Sequence, residues 1–335
     1  MGSVEKRLQC LEQLALALEH LKVRDPQYGR FAHILVDNAV ELMLHYQAET
    51  ALTNKWLFPD AKLQDKSSNQ NALGREFHPK VSFARRLAAI TADEAEFVLI
   101  NHGYRNELYH AGLRHEEIIH DLAFNYHFFA CRLFQKLKWG IASWSFPIQP
   151  PARLKGAWEN AQMSHRGDYN AALNAVAKGL ETTEITNDPL GKSLGRALEK
   201  KILQLDQAID WILETDKTKK SRVQIIIEAQ LWSALFDESK RKKCVPLVTA
   251  EEHRALVAKG VGHPVEFLKI VMAPPINDDP INRWQKRSAD LERESDYVKA
   301  TKKYQSVMCE MSDLYEDVMQ IGSALENHLD YLRGK

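Results

Sequence analysis

The stretch from Phe31 to Tyr46 constrains the fold more than any other part of the chain. Phe31, Ile34, Leu35, Val36, Ala39, Val40, Leu42, Met43 and Leu44 cover most of a helix circumference. His33, Asp37, Glu41 and His45 form one polar stripe across that surface at i, i+4 spacing. A helix that is apolar nearly all round is stable only inside other structure, so this segment predicts a helical bundle packed about it. Upstream, Val4, Leu8, Leu11, Leu14, Leu18 and Leu21 recur at helical spacing, and Asp25 before Pro26 is an N-cap followed by proline at the first helical position. Downstream, Thr91 to Glu94 form a capping box for a helix expected to stop near Gly112, and a further helix is expected from about Glu116 to Leu137. The segment from about 50 to 80, rich in Asn, Gln, Lys, Ser and Asp, reads as a long functional or mobile loop, with regular structure resuming at Val81.

Three prolines between Ser145 and Pro151 interrupt helix and predict a boundary between a first domain, residues 1–146, and a second, residues 152–335. The second stays helical, over Tyr169 to Leu180, Leu194 to Leu213 and Val223 to Phe236, although Val223, Ile225, Ile226 and Ile227 also suit a short strand. Thr249 to Glu252 is another capping box. After Pro274, Pro275 and Pro280, a long terminal helix repeats apolar residues from Tyr297 to Leu325 every 3.5 residues. Its apolar stripe is wide, so antiparallel packing within one chain fits at least as well as an intermolecular zipper. The fold class is therefore all-α, a helical bundle followed by a second helical domain ending in a coiled-coil-like helix.

The 45 basic and 45 acidic side chains cancel, so any nucleic-acid contact must come from local patches. No run of apolar residues is long enough to span a bilayer, and the opening MGSVEKRLQCLEQ carries charges where a signal peptide would be apolar. The expectation is a cytoplasmic protein without a membrane partner. Cys10, Cys131, Cys244 and Cys309 are far apart and suggest neither a disulfide framework nor a thiolate metal site. His115, Glu116 and His120 miss the zinc-protease spacing, because Ile119 stands where the second histidine belongs. The stripe of His33, Asp37, Glu41 and His45 could hold a divalent ion, but an acidic residue serving a cation elsewhere in the bundle is the simpler reading. No metal or cofactor is expected. His120 and His127, seven apart on one helix face, are expected to line the bundle or a dimer interface.

The most informative segment is NHGYRNELYHAG, residues 101–112, in which Arg105 is followed by Asn106 and, after four intervening residues, by His110. It resembles the R-x(4 to 6)-H motif of the HEPN family, all-helical domains that include many metal-independent endoribonucleases of bacterial toxin, antiphage and RNA-processing systems. With the helices before and after the motif, the resemblance covers about residues 25–140. It implies that His110 moves protons, Arg105 holds the phosphate and Asn106 orients one of them. It implies also that Glu41 or Asp37 approaches Arg105 as a supporting residue, and that a homodimer joins two such sites through this domain. The implied reaction cleaves RNA by attack of the 2′-hydroxyl, leaving a 2′,3′-cyclic phosphate and a 5′-hydroxyl, in a toxin or antiviral defence role. A regulatory protein partner for the second domain would fit that setting. One departure is Gly112, which stands where nucleotidyltransferase-paired toxins of the family carry a modifiable tyrosine. The alternative is a non-catalytic scaffold that binds RNA or protein, with Arg105 held in an internal salt bridge, for instance to Glu107 or Glu116. Candidate RNA contacts are Lys62, Lys66 and Arg75, with Trp56 and Phe58 for base stacking, and the cluster Lys240, Arg241, Lys242 and Lys243. A second cluster, Lys217, Lys219, Lys220 and Arg222, reads the same way.

Overall fold

The computed structural model describes residues 3–58, 66–111, 117–140, 148–165, 167–181, 189–215, 219–258 and 264–334. These residues form α1 (Ser3–Leu21), α2 (Pro26–Thr53), α3 (Lys66–Ala72), α4 (Phe77–Arg86), α5 (Ala92–Ala111), α6 (Ile119–Lys136), α7 (Lys155–Ser164) and α8 (Tyr169–Leu180). They continue through α9 (Leu190–Thr215), α10 (Arg222–Phe236), α11 (Glu238–Lys243), α12 (Ala250–Ala258), α13 (Pro264–Val271), α14 (Ile281–Glu292) and α15 (Tyr297–Leu332). Apart from two-residue strands, β1 (Val245–Pro246) and β2 (Met272–Ala273), paired antiparallel, the regular structure is helical, so the fold is all-α. Among the described residues no helix is long and apolar enough to cross a membrane.

The chain divides into two compact units, residues 1–194 with 294–302, and residues 195–293 with 303–335. Pro150 and Pro151, at the expected boundary, lie inside the first unit; Ser145 to Pro147 fall outside the described residues. The reason is packing: Leu154, Trp158, Leu173 and Val176 of the following segments are buried in the same core as α1 and α2. A proline run ends a helix without deciding which core its successor joins.

In the first unit α2 is the central helix, with Ala32, Val36, Ala39, Val40 and Met43 fully buried. Its start is fixed by Asp25, whose carboxylate accepts a hydrogen bond from the Gln27 amide at 2.8 Å. α1 and α6 are clasped antiparallel by two histidines. His120 Nε2 donates to the Leu21 carbonyl at 2.8 Å, and His127 Nε2 to the Leu14 carbonyl at 2.9 Å. The seven-residue step on α6 thus matches a seven-residue step on α1, and these side chains line the bundle. α2 comes close to α6 at Gly29, where an added Cβ would lie 3.0 Å from the His120 Cα. The segment from 50 to 80 is not one long loop. α2 runs on to Thr53, and a 3₁₀ turn at Lys55–Leu57 is followed, among the described residues, by α3 and then by α4, which starts at Phe77 rather than Val81. Ala51, Phe58, Ala72 and Phe83 make a small core there, too few apolar residues to register as a periodic pattern.

In the second unit, Ser221 and Gln224 form a reciprocal capping box at the start of α10, which settles the Val223 to Ile227 stretch as helix. Arg222 ties Asp206, Asp210 and Asp279 together. α9 meets α14 at Gly195, where Ser288 Oγ donates to the Gly195 carbonyl at 2.8 Å. From Ala300 to Val318 the repeat of α15 is covered within the chain, where Ala300, Tyr304, Val307, Met311, Leu314 and Val318 are all buried, while Ile321 and Leu325 beyond it are only partly buried.

Candidate functional site

Four helices of the first unit, α2, α4, α5 and α6, meet around one buried carboxylate. α5 begins at the expected capping box, in which Thr91 Oγ1 accepts from the Glu94 amide at 3.1 Å and Glu94 accepts from the Thr91 amide at 2.7 Å. From that start, His102, Arg105, Asn106 and Tyr109 fall at i, i+3, i+4 and i+7, within reach of one another along one side of the helix. α2 supplies Asp37, α4 supplies Phe77, and α6 supplies Tyr126.

Asp37 is wholly buried. A carboxylate in that position requires donors, and it has them: Tyr126 Oη donates to Oδ1 at 3.0 Å and His102 Nδ1 to Oδ2 at 2.8 Å. Burial first, and then the neighbouring Asp37, push the Tyr126 hydroxyl well above its ordinary pKa, so it remains a donor. The His102 ring stacks on Phe77 with centroids 4.0 Å apart and planes 10° from parallel, which fixes its orientation. Donation through Nδ1 leaves Nε2 as the ring's other hydrogen-bonding nitrogen.

Arg105 Nε lies 3.8 Å from the same Asp37 oxygen, an ion pair without a hydrogen bond. Its Nη1 donates to Asn106 Oδ1 at 3.1 Å, and the guanidinium carbon sits 4.7 Å from the Tyr109 ring centroid. The cation is thus oriented by a charge, an amide and an aromatic face, while 26% of its side chain stays exposed. Asp37 rather than Glu41 is the acidic residue beside Arg105. Glu41 pairs with Lys80 at 3.1 Å, and that ammonium, almost wholly buried, also donates to the Glu76 carbonyl. The backbone of His110 lies in the last turn of α5. Its side chain falls outside the described residues, as do Gly112 and Glu116.

The rest of the polar stripe on α2 is scattered among separate partners. His33 Nε2 donates to the Asn101 carbonyl at 2.9 Å, and His45 lies 3.6 Å from Glu49. Among the described residues no group of three or more His, Cys, Asp or Glu is arranged to hold a metal ion.

The sequence-predicted RNA contacts divide in two. Lys62 and Lys217 lie outside the described residues, as does the side chain of Lys66; Arg75 is exposed. The cluster at 240–243 is internally engaged. Lys240 pairs with the buried Asp317, Lys243 with Asp313, and Lys242 with Glu238 at 2.9 Å. Arg241 donates to the carbonyls of Ala234 and Leu235 at 2.9 and 2.7 Å. Lys220 pairs with Glu228 at 2.9 Å, and Arg222 is held by three aspartates.

The motif resemblance marked Arg105 and Asn106, with Asp37 or Glu41 as the acidic partner, but not His102, Tyr126 or Phe77. His102 had one available signal, its i, i+3 relation to Arg105; Tyr126 and Phe77 had none, because their contacts are made between helices. Comparison with family models, curated proteins and solved structures finds no match to this chain.

Proposed function

We propose that the chain is a metal-independent endoribonuclease in which Arg105 binds the scissile phosphate and His110 transfers protons. The observation that supports this reading is the state of Arg105. Both oxygens of Asp37 are committed to Tyr126 and His102, so the carboxylate orients the guanidinium from 3.8 Å without using its hydrogen bonds. A cation held in this way can donate two hydrogen bonds to phosphate oxygens and stabilise the charge that builds up at phosphorus. His102 acts as a positioning residue, because it occupies the oxygen that Arg105 would otherwise bind.

In the reaction a base takes the 2′-hydroxyl proton, the 2′-oxygen bonds to phosphorus, the bond from phosphorus to the 5′-oxygen breaks, and an acid protonates that oxygen. One His110 per chain supplies one proton carrier at a time, so a homodimer facing two bundles together would supply acid and base in one cleft. A toxin or antiphage role suits such an activity, with the second unit receiving a regulatory partner. The second reading, a non-catalytic scaffold for RNA or protein partners, draws instead on the engagement of the same guanidinium by Asn106 Oδ1 and the Tyr109 ring.

RNA cleavage in excess chelator separates the two. Wild type is expected to give 2′,3′-cyclic phosphate and 5′-hydroxyl ends, and His110→Ala and Arg105→Ala to lose at least ~10²-fold of the rate. Equal cleavage by all three proteins would refute the assignment, and no cleavage by any of them would favour the scaffold.

A further inference from the structure

The first unit contains a cavity of about 570 Å³, bounded by Trp56, Lys138, Trp139, Asp168, Tyr169 and Asn174. That size lies within the ~300–1,000 Å³ of pockets that take small organic ligands. It forms where the 3₁₀ turn after α2, the segment after α6 and the start of α8 converge.

Its walls are built and not merely left over. The Trp139 indole donates through Nε1 to the Phe134 carbonyl at 2.8 Å, rests 4.9 Å from the Phe134 ring, and has the buried Arg7 guanidinium 5.8 Å from its face. Arg7 also donates to Asn170 Oδ1, and Asn170 Nδ2 donates to the Gly140 carbonyl at 3.2 Å, which links two sides of the cavity. Asp168 is the N-cap of α8 and accepts from the Ala171 amide at 3.0 Å. Trp56 contrasts with these fixed groups, since it is 63% exposed at the rim. One cavity thus has an exposed tryptophan and a fixed one in its lining, together with a third aromatic ring, an amide and a carboxylate, a set of groups that suits a flat heterocycle with hydrogen-bonding edges. Lys138 in the lining is exposed, with its ammonium 3.4 Å from the Leu57 carbonyl and 5.5 Å from the Phe58 ring centroid, and is a cation that a phosphate attached to such a ligand could meet.

We propose that this cavity binds a nucleobase, stacked on Trp56 and Trp139 and read at its edge by Asn174 and Asp168. Aromatic rings accept any base on its π-face, while an amide and a carboxylate discriminate among edges. The base can belong to single-stranded RNA or to a free nucleotide. The RNA source rests on the ribonuclease reading; base binding itself does not.

Equilibrium binding to the whole chain tests the proposal with two sets of probes: the four 5′-mononucleotides, and 2′-O-methyl oligoribonucleotides, which lack the attacking hydroxyl and cannot be cleaved. Ribose 5-phosphate serves as the base-free control. At least one probe carrying a base is expected to bind saturably, with Trp56→Ala weakening it by about tenfold or more. Asn174→Asp, which exchanges a donor for an acceptor, is expected to change the ranking among bases. Binding of mononucleotides as tight as that of oligonucleotides would identify free nucleotide as the source, and much tighter oligonucleotide binding would identify RNA. Failure of every base-carrying probe to bind, equal binding of ribose 5-phosphate, or unchanged binding by Trp56→Ala would overturn the proposal. None of these outcomes depends on cleavage, so the ribonuclease reading stands or falls separately.

Discussion

His127 shows what one buried side chain does to the whole pH response. It is buried and spends its Nε2 proton on the Leu14 carbonyl, and burial pushes its pKa from 6.5 down to about 4. In the unfolded chain the same imidazole takes a proton at about 6.5, so between the two values the unfolded state binds more protons than the folded one. Its contribution is complete above 6.5 and is lost as pH falls toward 4, by up to ~3 kcal/mol. His120, seven residues earlier, runs the other way: its contact with Asp121, set against a desolvation that lowers the pKa and helped by the Leu21 carbonyl, raises the value. Its contribution is present at low pH and fades as pH rises. His127→Gln, which keeps a donor but cannot titrate, is therefore expected to reduce the fall in melting temperature between pH 7 and pH 5. A fall as steep as that of wild type would mean that His127 is not what makes the bundle acid-labile. The candidate site was only partly legible at this scale. Arg105, Asn106 and His110 share one short segment that stands out through its resemblance to a known motif, and Asp37 stands on a periodic stripe. The partners that make Asp37 tolerable in the core lie 65 and 89 residues away along the chain, and no local pattern announces them.

At the scale of elements, Gly29 sets opposing effects against each other. In an isolated helix alanine is favoured over glycine by ~1 kcal/mol, so helix propensity alone says that Gly29→Ala stabilises α2. In the bundle the new methyl would lie 3.0 Å from the His120 Cα and 3.2 Å from its amide nitrogen, both backbone atoms that cannot turn aside. A shift of α6 to relieve the overlap would also strain the hydrogen bond from His120 to the Leu21 carbonyl of α1. The overlap should win, and thermal unfolding is expected to show a lower melting temperature for Gly29→Ala; a rise would mean that α6 yields easily. The same balance of local and tertiary effects explains which elements could be read from sequence. The starts of α2, α5 and α12 were legible because Asp25, Thr91 and Thr249 act within three residues of themselves. Helices α3 and α4 were hidden, because Ala72 and Phe83 do their packing against α2 and the following turn rather than along a long apolar stripe. The boundary near residue 150 misled for a related reason, since chain-breaking chemistry is local and core membership is not.

For the molecule as a whole, zero net charge hides a difference in how charges are used. Lys240 has only 13% of its side chain exposed and neutralises Asp317, which has 3%. Desolvation raises the Asp317 pKa against the pull of Lys240. Removing the lysine leaves a buried carboxylate without its cation, so Lys240→Ala is expected to cost ~3 kcal/mol of stability, with much of it recovered in Lys240→Ala, Asp317→Asn. Neither variant should change the salt dependence of RNA binding, and a slope reduced by about one counterion would instead make Lys240 a phosphate contact.

The homodimer in the proposed reaction makes a further demand on the whole molecule, because it requires His110 from two chains in one cleft. If wild type is diluted into about nine parts of His110→Ala at constant total chain and allowed to exchange, only about a tenth of wild-type chains should pair with another wild-type chain. Cleavage per wild-type chain is then expected to fall about tenfold, because mixed dimers lack either the acid or the base. A monomeric enzyme would show no change, since each wild-type chain would keep a complete site. His110→Ala leaves Asp37, His102 and Arg105 unchanged, so its melting temperature is expected to match that of wild type; with that match measured, loss of rate in the mixture would report the shared cleft and not a failure to fold.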